Sequence, residues 1–182
     1  MTTETFLAPE GLARLGDLVG RRLLAYGTDL ELDEGIGAFG VWLQFEQGWI
    51  TIEFVEQVID FPDGERVESV LTVHPLTGID PGGDAYELAG RIVEITRIQD
   101  RIAQINRLEE SIEWEWWRDS GLRFRLDSGQ ELLIHCASPV VIEVKMQAGP
   151  AGTLRPDAPG RVYQAGERRR YEYGNREIAL RT

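Results

Sequence analysis

Tryptophan and histidine are the side chains best suited to do chemistry in this chain of 182 residues. Trp114, Trp116 and Trp117 fall within four positions. On a strand, Trp114 and Trp116 share one face, and Trp117 lies on the other with Glu113 and Glu115. Exposed rings of this sort make a platform for stacking a sugar or gripping a peptide, whereas buried ones plug a curved sheet. Strands favour aromatics in either case. His135 stands beside Cys136, the pair that a thiol nucleophile and its base would need. Strand alternation works against that use: Cys136 goes to the core side with Leu132 and Ile134, His135 to the opposite side with Leu133. A thiol among apolar groups stays protonated and inert. His74 closes a strand and opens the loop Leu76 to Asp84, where Asp80 and Asp84 supply carboxylates of the kind acid–base sites use. The same Gly and Pro content also makes a plain connector. The binding candidates are therefore Trp114, Trp116, His74 and His135, and no catalytic residue is assigned.

Other chemistries fail on detail. Asp29, Glu31, Asp33 and Glu34 have the carboxylate density of a calcium loop. However, Glu34 stands where that loop requires glycine, and Gly40 where it requires a bidentate glutamate. Leu30 and Leu32 interleave as on a strand, so a solvated strand face is the expectation and no metal is assigned. A single cysteine with no His or Cys at zinc spacing removes disulfide and zinc-ribbon classes. No nucleotide loop, dinucleotide fingerprint or Ser-His-Asp order is present, and no cofactor is expected.

The charge balance is 19 basic against 31 acidic side chains, a net of -12, which repels phosphate backbones and anionic lipid. Nucleic-acid and membrane partners are therefore not expected. The sign is uneven: residues 1–150 carry 12 basic and 27 acidic groups, residues 151–182 carry 7 and 4. With no run of eighteen apolar residues and no secretion-type leader, the chain reads as cytoplasmic.

The elements that must hold these residues read mainly as strands. Val41, Leu43 and Phe45 alternate, as do Ile50, Ile52 and Phe54, then Leu122, Phe124 and Leu126, then Leu132, Ile134 and Cys136, the period of strands with one buried face. Val140, Ile142, Val144 and Met146 continue the pattern. Gly48, Gly64 and Gly129 mark hairpin turns between such runs. The pairs Gly20-Arg21 and Gly90-Arg91 are 70 residues apart and the turn glycines 48 and 129 are 81 apart. This spacing predicts an internal duplication, with leads at 12–18 and 84–88 and about eleven added residues in the second copy. Ile95, Ile98, Ile102, Ile105, Leu108 and Ile112 recur at steps of three or four, which predicts a helix near 98–110 inside the added length. Arg118-Asp119-Ser120-Gly121 reads as a turn.

The expected fold is α+β and mainly β, with two similar antiparallel β units, 1–75 and 84–147, the second holding the helix. Residues 148–182 read as a Pro/Gly connector and an Arg/Tyr-rich tail docked on the acidic body by Arg–carboxylate pairs and tyrosine packing. The repeated Leu-x-Gly-Arg lead with a Gly-turned hairpin resembles patterns in many small bacterial proteins, some toxin-immunity types among them, and points to no single family. The function expected is a non-enzymatic binding or protein-interaction domain whose acidic surface meets a basic partner, an immunity-like inhibitor being one form. The alternative is a small-molecule-binding domain or modest hydrolase with its pocket between the two units, walled by Trp114 or Trp116 and using His74 or His135. Self-association into a homo-oligomer is the remaining expectation.

Overall fold

A computed structural model describes residues 1–28, 40–76, 85–136, 144–156, 163–165 and 167–180. The acidic run 29–34, the loop residues Asp80 and Asp84, and Val140 and Ile142 lie outside them. The elements are β1 (Thr2–Thr5), α1 (Pro9–Gly16), β2 (Arg22–Thr28), β3 (Gly40–Phe45), β4 (Gly48–Phe61), β5 (Gly64–Leu76), β6 (Ala85–Asn106), β7 (Ser111–Leu126), β8 (Gln130–His135), β9 (Lys145–Pro150), β10 (Tyr163–Ala165) and β11 (Arg169–Ala179). One sheet takes in all the strands, in the order β5-β4-β3-β2-β6-β7-β8-β9. Beyond that path, β1 runs parallel to β7, and β11 pairs antiparallel with β6 and β10. The protein is α+β and mainly β, and none of its described helices is long and apolar enough to cross a membrane.

The hairpin turns lie where the glycines require them, with φ of 124° at Gly48, 128° at Gly64 and 77° at Gly129, a region closed to most side chains. The strands β2–β5 form one meander and β6–β9 another, joined through the antiparallel pair β2–β6. Both contribute to a single core, in which Leu23, Val41 and Phe54 of the first join Phe124, Leu132 and Ile134 of the second. Leu15 and Leu18 from α1 and the turn after it close that core.

Residues 98–110 are not a helix. They belong to β6, which runs 22 residues to Asn106, and to the turn after it. The spacing misleads because this strand is covered on both faces. Ile95 and Ile105 occupy one face and Ile98 and Ile102 the other, by strand alternation, and all four are buried. Buried isoleucines therefore need not alternate, and steps of three join opposite faces of one ribbon. Leu108, by contrast, is exposed in the turn. Of the second expected lead, residues 85–88 are likewise the start of β6 and not helical, whereas the first lead overlaps α1 as far as Gly16.

Arg118-Asp119-Ser120-Gly121 is not a turn either; it lies inside β7. Ile98 faces Gly121 and Gln99 faces Asp119, so Ser120 is an extra, bulged residue. A bulge shifts strand phase by one. As a result Leu122 and Phe124 face the main core, while Arg118, Trp116 and Trp114 face the other side. Gly121 is required beside this bulge, because a Cβ there would stand 2.4 Å from the Ile134 carbonyl oxygen.

Candidate functional site

The phase shift at Ser120 delivers Trp114 and Trp116 to the face of the β6–β7 ribbon away from the main core. The β4–β5 hairpin then covers them. Phe61, at its tip, meets Trp116 edge-on at 5.3 Å between ring centroids and Trp114 at 5.8 Å. Arg66 lies over both Phe61 and Trp114, a cation–π contact on each ring. Tyr171 of β11 closes the cluster at 6.0 Å from Trp114. Trp116 donates its indole N–H to Thr5 Oγ1 of β1 at 2.8 Å. Trp114 and Trp116 are 4% and 2% exposed, which leaves no ring face for a ligand to stack on. Trp117, on the opposite face, carries Arg176 at 3.9 Å from its ring.

The hairpin can do this because it is long and twisted. Ile52 and Phe54 of β4 enter the main core, while Ile59 and Phe61, opposite in parity, pack on the tryptophans. Past Glu53, β4 pairs with no strand but β5 among the described residues. The hairpin therefore continues as a two-stranded arm laid over the neighbouring ribbon.

Beneath the base of the arm is a buried polar cluster. Arg118, 1% exposed, donates to Ser69 Oγ at 3.2 Å and to the Cys136 carbonyl at 2.6 Å, and lies 3.7 Å from Asp100 Oδ2. Asp100 Oδ1 in turn lies 3.4 Å from His135 Nε2. Arg118 Nε, Asp100 Oδ2 and His135 Nδ1 lack hydrogen-bond partners among the described residues. Each such atom costs on the order of 1–3 kcal/mol when dry. Glu68, at the rim, has its carboxyl held above the usual range, chiefly by burial, with Arg118 and Arg66 opposing.

Three of the four residues singled out in sequence, Trp114, Trp116 and His135, thus share one covered face, linked through Arg118. His74 does not join them; it is exposed on β5 opposite Thr51. His135 does face away from Cys136, but that face is not solvent: it is 3% exposed, and Leu133 is 1% exposed. None of the four lines a described cleft.

Further along the same face Arg123 holds Glu131 and Glu177, each at 2.8 Å, and the chain at Leu154 crosses over it. Burial pushes the Glu131 carboxyl upward, but the N–H groups of Gly152 and Leu154 together with Arg123 outweigh it, and the net shift is down. The cleft here, about 200 Å³, is lined largely by side chains already paired with one another, among them Glu94 with Arg125.

Sequence reading missed the outer face of the arm. There Glu56, Val58 and Asp60 on β4 share a side with Val67 and Glu65 on β5. Val58 lies directly opposite Val67, and they are 64% and 60% exposed. Asp60 lies directly opposite Glu65. Like charges in that position destabilise a hairpin, and apolar pairs left in water gain nothing from burial. The signal was available: a turn at Pro62-Asp63 fixes both pairs once the hairpin is recognised. Comparison with protein-family models, with curated protein sequences and with solved structures gave no match for this chain.

Proposed function

We propose that the protein is a non-enzymatic interaction module whose docking element is the β4–β5 arm, and that its partner is a basic protein segment carrying apolar side chains between its cations. The carrying observation is the outer face of the arm, where an exposed Val58–Val67 pair is flanked by Glu56 and by the opposed carboxylates Asp60 and Glu65. A lysine or arginine set between Asp60 and Glu65 relieves their repulsion, and apolar contact covers the valines. The edges of the arm, which no described strand pairs, offer main-chain pairing to an extended segment as well. Copies of this face repel one another, which favours a foreign partner over self-association. Burial of Trp114, Trp116 and His135 supports binding over hydrolysis, since these three are engaged in packing and polar contacts and His74, the fourth candidate, lies apart from them. An immunity-like inhibitor of a basic protein is one form of this reading.

The test is titration of the full chain with an alternating Lys-Val peptide. Saturable binding that weakens steeply with salt is expected, with loss in the D60K/E65K variant and none in Glu10→Lys, a charge reversal on α1 distant in sequence from the arm. Absence of binding, or equal binding by D60K/E65K, overturns the proposal.

We also infer that the two meanders arose by duplication. The antiparallel pairing of β2 with β6 sets Arg22 opposite Arg91 and Leu23 opposite Gly90. The two Gly-Arg leads also lie side by side, Gly20 N–H donating to the Ile92 carbonyl and Ile92 N–H to the Arg21 carbonyl, which supports a duplicated unit joined through its first strands.

A further inference from the structure

Nearly all of the positive charge in this chain is arginine, and along the central ribbon the excess of carboxylates gives those arginines partners. The other arginines of β6 and β7 pair with carboxylates at 2.7–3.7 Å. Three at the seam between the meanders do not. Arg21, Arg22 and Arg91 line one cleft of about 190 Å³ together with Phe45, Glu46 and Gln47 of the β3–β4 turn. Arg22 and Arg91 are direct cross-strand neighbours, a like-charge pair that destabilises the sheet if left alone. No described carboxylate lies within ion-pair distance of any of the three. Arg91 Nη1 donates to the Gly20 carbonyl at 3.2 Å, which fixes its guanidinium while leaving other N–H groups free. The Arg91 backbone N–H is held by Asp127 at 2.8 Å, which anchors the strand beneath it.

We propose that this cleft is a binding site for a phosphate dianion, either free or as a small monoester. Among the lining groups, three guanidinium groups against the carboxylate of Glu46 leave a positive charge that suits a dianion, and each planar fork can donate two N–H bonds to phosphate oxygens. A phosphate bridging Arg22 and Arg91 turns their mutual repulsion into shared attraction. The Gln47 side chain adds an amide donor at the wall. The volume is below the range of roughly 300–1,000 Å³ usual for larger organic ligands, which limits the occupant to a small group. This site is independent of the arm, so either proposal stands if the other fails.

The experiment is titration of the full chain with inorganic phosphate, with glycerol phosphate and with acetate at constant ionic strength, followed by amide chemical shifts and by Tm. Saturable shifts confined to residues 20–22, 45–47 and 90–92 are expected with phosphate, together with a rise in Tm. Tighter binding of glycerol phosphate assigns a monoester, tighter binding of inorganic phosphate the free ion, and either supports the site. R22Q and R91Q should each weaken binding by about tenfold or more, the scale of one charged hydrogen bond. Glu46→Gln, in an exposed turn, should tighten it and guards against loss from misfolding. An equal response to acetate, no saturable response to either phosphate, or unchanged affinity in both arginine variants overturns the proposal.

Discussion

At the scale of single residues, burial and pairing decide what each titratable group contributes. Glu131 has no exposed surface, and its carboxyl is held below the ordinary value of 4.5, so it stays ionised in the fold more readily than in the open chain. A depressed carboxylate stabilises the fold above its unfolded value, and that contribution fades as pH falls through the folded one. Glu131→Gln should therefore cost about 3 kcal/mol at neutral pH, the lower end for a broken buried pair because Arg123 keeps Glu177. The gap to the parent protein should narrow as pH drops below 4.5. Urea unfolding of both proteins at neutral and acid pH checks this; a gap that stays constant with pH contradicts it. Glu68 acts with the opposite sign, since burial raises its carboxyl and its ionisation opposes the fold as pH rises through the raised value. What sequence made legible here was direction along a strand. Cys136 enters the core with Leu132 and Ile134, and His135 faces away. What it did not reveal was that the second face is also covered, because the covering groups come from Ser69 and Arg118, remote in sequence.

At the scale of elements, phase is the deciding quantity. The glycine turns and alternating runs were readable because a single buried face leaves a period of two. The β6–β7 ribbon was not, because both its faces are buried and Ser120 shifts β7 by one residue. That shift moves Trp114 and Trp116 to the face that the arm covers. Phe61 is the contact that fastens the arm there, packed on both rings. Truncation of Phe61 to alanine should cost about 3–5 kcal/mol of local packing. The arm should lift while the main core, to which Phe61 does not belong, stays folded. The expected readout is a red shift of tryptophan emission with far-ultraviolet dichroism largely retained. Unshifted emission contradicts the role given to Phe61.

At the scale of the whole molecule, one continuous sheet carries an excess of negative charge whose sign reverses locally at the seam of the two meanders. The tail, positive in sequence, pairs β11 along β6 from Arg169 to Ala179 and closes part of its edge. Two of its arginines are directed to carboxylates at the end of the ribbon, Arg170 to Glu110 and Arg169 to Glu113. The outer face of the arm brings acidic and apolar groups together, beyond the last residue of β4 that pairs with β3 among the described residues. Net charge could be counted from sequence, but the concentration of Glu56, Val58, Asp60, Glu65 and Val67 on one face depends on hairpin register. The most direct measurement is hydrogen exchange on the full chain with and without the Lys-Val peptide. Slowed exchange confined to residues 54–70, with the amides of Trp114 and Trp116 unchanged, is expected. Protection elsewhere with none on the arm would contradict the assignment of the arm as the docking element.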